Sequence, residues 1–187
     1  MKYEDISKNN YPLGFLISKG ISTNSEDLNK TFVSHTRQMA ALQKECIGYE
    51  GDLNTNSWRL TSDEGGHLKG TDLAPFPLGF FNACIHGDVV GKIFKIARNK
   101  NLSIEEIRCE VKNSYFLTGS FVKGDGKGHA EPTEINLKIK SPEHNSKINE
   151  IIKICSKTSP VLAALRTPLN NTFSLTSNGR RKKLNNL

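Results

Sequence analysis

The feature that most limits how this chain can fold is the stretch from Leu73 to Ala97, LAPFPLGFFNACIHGDVVGKIFKIA. It is the richest apolar segment, yet Pro75, Pro77 and Gly79 break it short of the roughly eighteen apolar residues a membrane helix requires. A helix that begins near Thr71 or Asp72, either of which can cap it, tolerates both prolines, because its first turn has no intrahelical N–H bonds to lose. Past His86, the residues Val89, Val90, Ile93, Phe94 and Ala97 fall on one side. That pattern carries the helix to about Arg98, where NKN ends it. Gly79, Ala83, Gly87 and Gly91 recur every four residues, a stripe that admits close approach of another backbone. Without such packing each glycine would cost about 1 kcal/mol relative to alanine. The expectation is a long, tightly packed central helix.

Around that helix the pattern is mostly of strands. FVSHTRQMAALQKECIGY, Phe32 to Tyr49, fits strand or helix on periodicity alone. A short strand is expected over Ser57 to Thr61, then a Gly-rich loop. After the helix, alternation from Ile104 to Val122 puts Ile107, Cys109 and Val111 on one strand face, which gives Cys109 a structural role. GDGKGH reads as a turn or loop. PTEINLKIK alternates with Ile135, Leu137 and Ile139 inward. Ser141-Pro142-Glu143 reads as a helix start, and Ile148, Ile151, Ile152 and Cys155 follow at helical spacing, placing Cys155 on the buried face. A second short helix begins at Ser159, and NTFSLTS closes the chain as a strand. No βαβ repeat emerges, so the class is α+β with a mainly antiparallel sheet packed on helices.

The 187 residues suit one domain with flexible ends. Met1 to about Asn29 is rich in Ser, Asn, Lys and Gly and reads as an arm, with room for one strand around Phe15 to Ile17. Its acidic, polar start is unlike an export signal, so a soluble, cytoplasmic protein is expected, without membrane contact. The net charge is +7, and removing the RRKK run of Arg180 to Lys183 leaves 7 − 4 = +3, an ordinary value. The run reads as a frayed, solvated tail or, less economically, as a contact for nucleic acid, for which no zinc-finger, RNP or helix-turn-helix signature speaks. Four cysteines, Cys46, Cys84, Cys109 and Cys155, form no C-x-x-C pair, and the histidines show no metal-like spacing. No metal or cofactor is expected. Cys84 therefore has two readings, a buried inert thiol or a working one. His86, two residues on, points to a different helix face. Phe76, Phe80 and Phe81 read as core, or as the lining of an apolar pocket.

Two segments together resemble the OsmC family, which includes the organic hydroperoxide resistance proteins. GTDLAPFPLGFFNAC, Gly70 to Cys84, is similar to the family segment that ends in its first catalytic cysteine. INEIIKICSKTSPVLAAL, Ile148 to Leu165, is similar to the helix that carries the second cysteine, the polar step after it and the next helix. The resemblance implies an OsmC-like domain over 31–177, between an arm (1–30) and a basic tail (178–187). It also implies an intertwined homodimer with its active sites at the interface. Cys84 would be the peroxidatic thiol that attacks an organic hydroperoxide, and Cys155 the resolving thiol. The resulting disulfide would be reduced by an external thiol or dithiol, with no bound cofactor. Attack requires thiolate, which a nearby cation favours. Arg37 and Arg59 lie where the family's arginine is found and stand as equal candidates. Ala74 and Pro75 occupy positions where peroxidase members carry acids, with Asp72 or Glu64 as possible substitutes, and Ser156 replaces a proline. These departures leave room for a non-catalytic relative that binds a small apolar or acyl ligand at the dimer interface.

Overall fold

The computed structural model describes residues 31–50, 56–168 and 171–184, in two compact units that meet in sequence between Ala74 and Pro75. The strand suggested around Phe15 to Ile17 lies outside the described residues. In the first unit, β1 (Phe32–Gln38), β2 (Lys44–Glu50) and β3 (Asn56–Ser62) form an antiparallel meander. The segment left open between helix and strand is thus a hairpin. Its turn places Ala41 at φ 50°, and Met39 N–H donates to Gln43 O at 2.9 Å. Across β2 and β3, Gly48 faces Trp58, and a Cβ on Gly48 would lie 2.0 Å from the indole ring. Only glycine admits the ring there.

After β3 the chain folds around one carboxylate. Asp63 is fully buried and accepts from Glu64 N at 2.8 Å, Thr71 N at 3.1 Å, Leu73 N at 3.2 Å and the Thr71 hydroxyl. The loop closes through a 3₁₀ turn at Gly66–Leu68, with Lys69 and Asp72 in the left-handed region. A Cβ on Gly70 would sit 1.8 Å from Glu64 O, so that position also excludes a side chain. Thr71 and Asp72 therefore belong to this loop rather than to a helix start.

The second unit is built on α1 (Pro77–Asn99), which begins with Pro77 in its first turn and Phe76 at the cap. Pro75 precedes the helix. The expected start near Thr71 is five or six residues early because Asp63, not the helix, claims the Thr71 hydroxyl. Ile85, Val89, Ile93 and Ala97 form the buried line of α1. They join Val111, Ile151 and Cys155 in one apolar core, with Ile107, Cys109, Ile135 and Leu137 packed against it. The inward faces of β4 (Glu106–Lys112) and β7 (Glu134–Lys140), which pair Cys109 with Leu137 and Val111 with Ile135, supply these residues. Both strands show the alternation expected of them.

Further differences from expectation have local causes. β5 (Tyr115–Thr118) pairs with β6 (Lys127–Ala130), so the second half of the expected GDGKGH loop is strand, and the turn falls at Phe121–Gly124. α2 (Asn145–Thr158) starts later than Ser141, because the Ser141 hydroxyl donates to Ser103 O at 2.6 Å and His144 takes the cap position. α3 (Pro160–Arg166) starts as expected, capped by Ser159. The RRKK run is not a frayed tail: it lies in β9 (Arg180–Leu184), paired antiparallel with β8 (Phe173–Ser177) through a turn at Asn178–Gly179. Nor does the small-residue stripe pack against any of the described residues. Gly79, Ala83, Gly87 and Gly91 are exposed, and a Cβ on any of the three glycines would meet nothing within 4 Å.

Asp63 gives a stability test with a defined sign. The Thr71 hydroxyl bond, helped by the three N–H donors and opposed by burial, holds its carboxyl below the usual carboxylate range. Its contribution is present above the unfolded value of about 3.9 and is lost as pH falls through the lower folded value. Asp63→Asn is expected to lower the urea midpoint at pH 7 without changing m. The gap from wild type should close as the pH is taken well below 4.

Candidate functional site

The sequence candidates fall into two groups, one in each unit. Cys84 sits on α1 one residue before the buried Ile85, which turns its thiol to the exposed face. Among the described residues it has no hydrogen bond or ion pair. Cys155 lies on α2 at i+4 from Ile151 and is 2% exposed. Its Sγ–H donates weakly to Val89 O at 3.7 Å. Val89 is five residues beyond Cys84, about 7.5 Å along the helix axis and about 140° around it. The two thiols thus address different parts of α1.

Burial pushes the Cys155 thiol above its ordinary pKa, and the negative charge of Asp88 pushes the same way, with Lys92 in partial opposition. Asp88 also accepts the Ser159 hydroxyl, and Ser159 Oγ accepts Leu162 N–H at 3.0 Å. One carboxylate on α1 thereby ties down the cap of α3 and the step that follows Cys155. Cys109 is raised by burial alone, as suits a packing residue. His86 is half-buried, and its Nδ1 hydrogen bonds to Asn82 O at 2.9 Å, within its own helix.

Near the start of α1 the second unit carries a cavity of about 580 Å³, lined by Phe81, Tyr115, Ile135, Leu162, Leu165 and Arg166 among others. Of the three phenylalanines, Phe81 alone reaches this lining, and it is exposed rather than core. Arg166 donates to Ser156 O at 2.6 Å, and Thr133 donates to Asn113 Oδ1 at 2.6 Å. The lining therefore combines apolar side chains with a few hydrogen-bonded polar groups.

In the first unit Arg37 and Arg59 converge on a residue that the sequence reading passed over. Glu45 is 3% exposed and faces Arg37 across β1 and β2, with Arg37 Nε on Oε2 at 2.6 Å and Arg59 Nη2 on Oε1. The Arg37 hydrogen bond, more than Arg59, holds its carboxyl below the usual range against the opposing effect of burial. The signal was present in the strand register, but it required knowing that the segment is a hairpin. Glu64, a possible substitute acid, is paired with Lys44 at 2.8 Å. Asp72 lies in the Asp63 loop. Among the described residues no three His, Cys, Asp or Glu side chains are grouped as a metal site, and no helix is long and apolar enough to cross a membrane.

The sequence matches no protein-family model and no curated protein. The fold does match solved structures. An OsmC-like hydroperoxide resistance protein from Jannaschia sp. is 16% identical with a TM-score of 0.55, over 82% of this chain and 97% of that one. An OsmC-like protein from Mycoplasma pneumoniae is 17% identical with a TM-score of 0.55, over 75% and 89%. An organic hydroperoxide resistance protein OsmC from Legionella pneumophila is 15% identical with a TM-score of 0.52, over 73% and 89%. The chain has the OsmC-like α+β fold, in agreement with the resemblance of its two cysteine segments.

The contrast between the thiols is directly measurable. Iodoacetamide followed by peptide mass spectrometry is expected to modify Cys84 rapidly at pH 7 and Cys155 far more slowly. Cys155 should still lag when the pH is raised to 9, since burial and Asp88 keep it protonated. Equal rates at pH 7 would contradict the described burial.

Proposed function

We propose that this protein is a thiol-dependent peroxidase that reduces organic hydroperoxides through Cys84 and Cys155. The observation that carries the reading is the placement of an exposed thiol on α1 and a buried thiol on α2 within one OsmC-like unit. In the proposed cycle the Cys84 thiolate attacks the distal peroxide oxygen. The O–O bond breaks, Cys84 becomes a sulfenic acid, and the alkoxide leaves as alcohol after taking a proton. Cys155 then displaces water from the sulfenic sulfur, forming a disulfide that an external dithiol reopens. A reducing, cytoplasmic setting fits that last step. Arg37 or Arg59 is assigned the cation that favours the thiolate. Because Cys155 rests against Val89 O, resolution includes a local rearrangement that brings its sulfur to Cys84.

A homodimer belongs to the same reading. The exposed line of Gly79, Ala83, Gly87 and Gly91 runs beside Cys84 and leaves a smooth helix face, open for a second backbone. Phe121 and Val122, each more than 80% exposed, add apolar surface that a lone chain leaves in water. A second reading, non-catalytic binding of a small apolar or acyl ligand, is favoured by the apolar-walled cavity at Phe81 and by Ala74 in place of an acid.

Cumene hydroperoxide consumption with dithiothreitol or dihydrolipoamide separates the readings. Turnover is expected for wild type and should vanish in Cys84→Ser, whereas Cys155→Ser should accumulate a dimedone-reactive sulfenic acid. Loss of thiolate stabilisation in Arg37→Ala or Arg59→Ala should slow the reaction about tenfold or more for the arginine that serves Cys84. No turnover, together with an apolar molecule retained in native mass spectrometry, would favour the binding protein.

Sedimentation tests the dimer. Wild type is expected at twice the chain mass, and Gly87→Leu and Gly91→Leu should move it toward the monomer without loss of helical circular dichroism. A monomeric wild type would remove this part of the proposal.

A further inference from the structure

The first unit carries polar machinery of its own. Alternation along the meander puts His35 and Arg37 of β1, Glu45, Ile47 and Tyr49 of β2, and Arg59 of β3 on one face of the sheet. His35, Ile47 and Arg59 lie in one cross-strand row, and Arg37 and Glu45 in the next. A cavity of about 410 Å³ opens here, lined by His35, Thr36, Arg37, Glu45 and Ile47. Both arginines are mostly exposed, at 73% and 67%, while the carboxylate they share is buried.

A buried carboxylate that holds two exposed guanidinium groups does more than neutralise them. Each arginine has five N–H donors in a planar fork. Arg37 contacts Glu45 through Nε and Arg59 through Nη2, so each retains donors for a further partner. Two arginines and one glutamate leave one net positive charge, which complements a monoanion better than a phosphate dianion. Ile47, 41% exposed, and the His35 ring, stacked on Tyr49 at 5.9 Å, supply apolar and flat surface beside the charge. A free inorganic ion would leave that surface and most of the cavity unused.

We propose that Arg37, Arg59 and Glu45 form a binding site for a monocarboxylate with an apolar or aromatic body. Its carboxylate takes the spare arginine N–H groups, its body lies against Ile47 and His35, and Glu45 is the positioning residue that fixes both forks. The proposed cycle takes its cation from one of these same arginines; the binding test does not use turnover, so the two readings fail separately.

The test is titration of the full-length protein with benzoate, followed by the arginine Nε–Hε resonances in ¹H–¹⁵N spectra, with inorganic phosphate as the comparison. Saturable shifts of the Arg37 and Arg59 signals with benzoate, and weaker ones with phosphate, are expected. Arg37→Lys keeps the charge but loses the fork, and should weaken benzoate binding about tenfold or more, the equivalent of one charge-assisted hydrogen bond. Glu45→Gln is the discriminating variant. A positioned site predicts weaker binding of benzoate despite the added net charge, whereas diffuse attraction predicts tighter binding. Equal response to phosphate and benzoate, no saturation, or tighter binding in Glu45→Gln would overturn the proposal. Should Glu45→Gln lose amide dispersion, Arg37→Lys and Ile47→Asp decide it, since undiminished benzoate binding in both would overturn it equally.

Discussion

The second unit depends on one line of side chains. Ile85, Val89, Ile93 and Ala97 repeat every four residues along α1 and meet Ile151 and Cys155 of α2 and Val111 of β4. Burying each aliphatic side chain of that size is worth about 1.5–3 kcal/mol, so this seam carries more of the unit's stability than its surface ion pairs do. Lys112–Glu134 and Lys140–Glu105, for instance, are exposed on both partners and of the kind that contributes little. The seam also fixes the two thiols by exclusion. A residue one step from Ile85 faces out, and a residue four steps from Ile151 faces in.

The first unit is built on another principle. Among the described residues, the buried hydrophobic side chains all belong to the second unit, while the first buries Glu45 and Asp63. Each of these carboxylates is enclosed by donors, Glu45 by two guanidinium groups and Asp63 by a hydroxyl and three N–H groups. A buried charge without such partners would be strongly unfavourable. Paired in this way, Glu45 ties β1 and β3 to the central strand, and Asp63 closes a tight loop.

Much of this was legible in the sequence, and what was missed has a common cause. The α+β class, the long helix with its prolines at the start, the alternating strands at Cys109 and Leu137, and the buried face that holds Cys155 all follow from periodicity. Short-range pattern reports which face is apolar. It does not report long-range polar partners. Thr71 was read as a helix cap because its claim by Asp63, eight residues earlier, has no periodic signature. Glu45 was overlooked because its arginines are eight and fourteen residues away. The glycine stripe was read as tightly packed, yet composition cannot say whether the approaching backbone belongs to the same chain. RRKK was read as a tail since charge outweighed the strand pairing that Asn178-Gly179 makes possible.

The Asp88–Ser159 contact bears on timing. It joins the middle of α1 to the cap of α3, and Cys155 sits one turn before that cap with its thiol against the α1 backbone. In the proposed cycle the Cys155 sulfur leaves Val89 O to meet Cys84, and it does so beside this junction. On that proposal the lifetime of an oxidised Cys84 depends on how often this corner releases the Cys155 sulfur, as well as on the nucleophilicity of that thiol. Such an arrangement acts as a clock. In the proposed cycle sparse peroxide leaves time for that release and a burst does not, so the corner would set the oxidant dose at which the protein is spent.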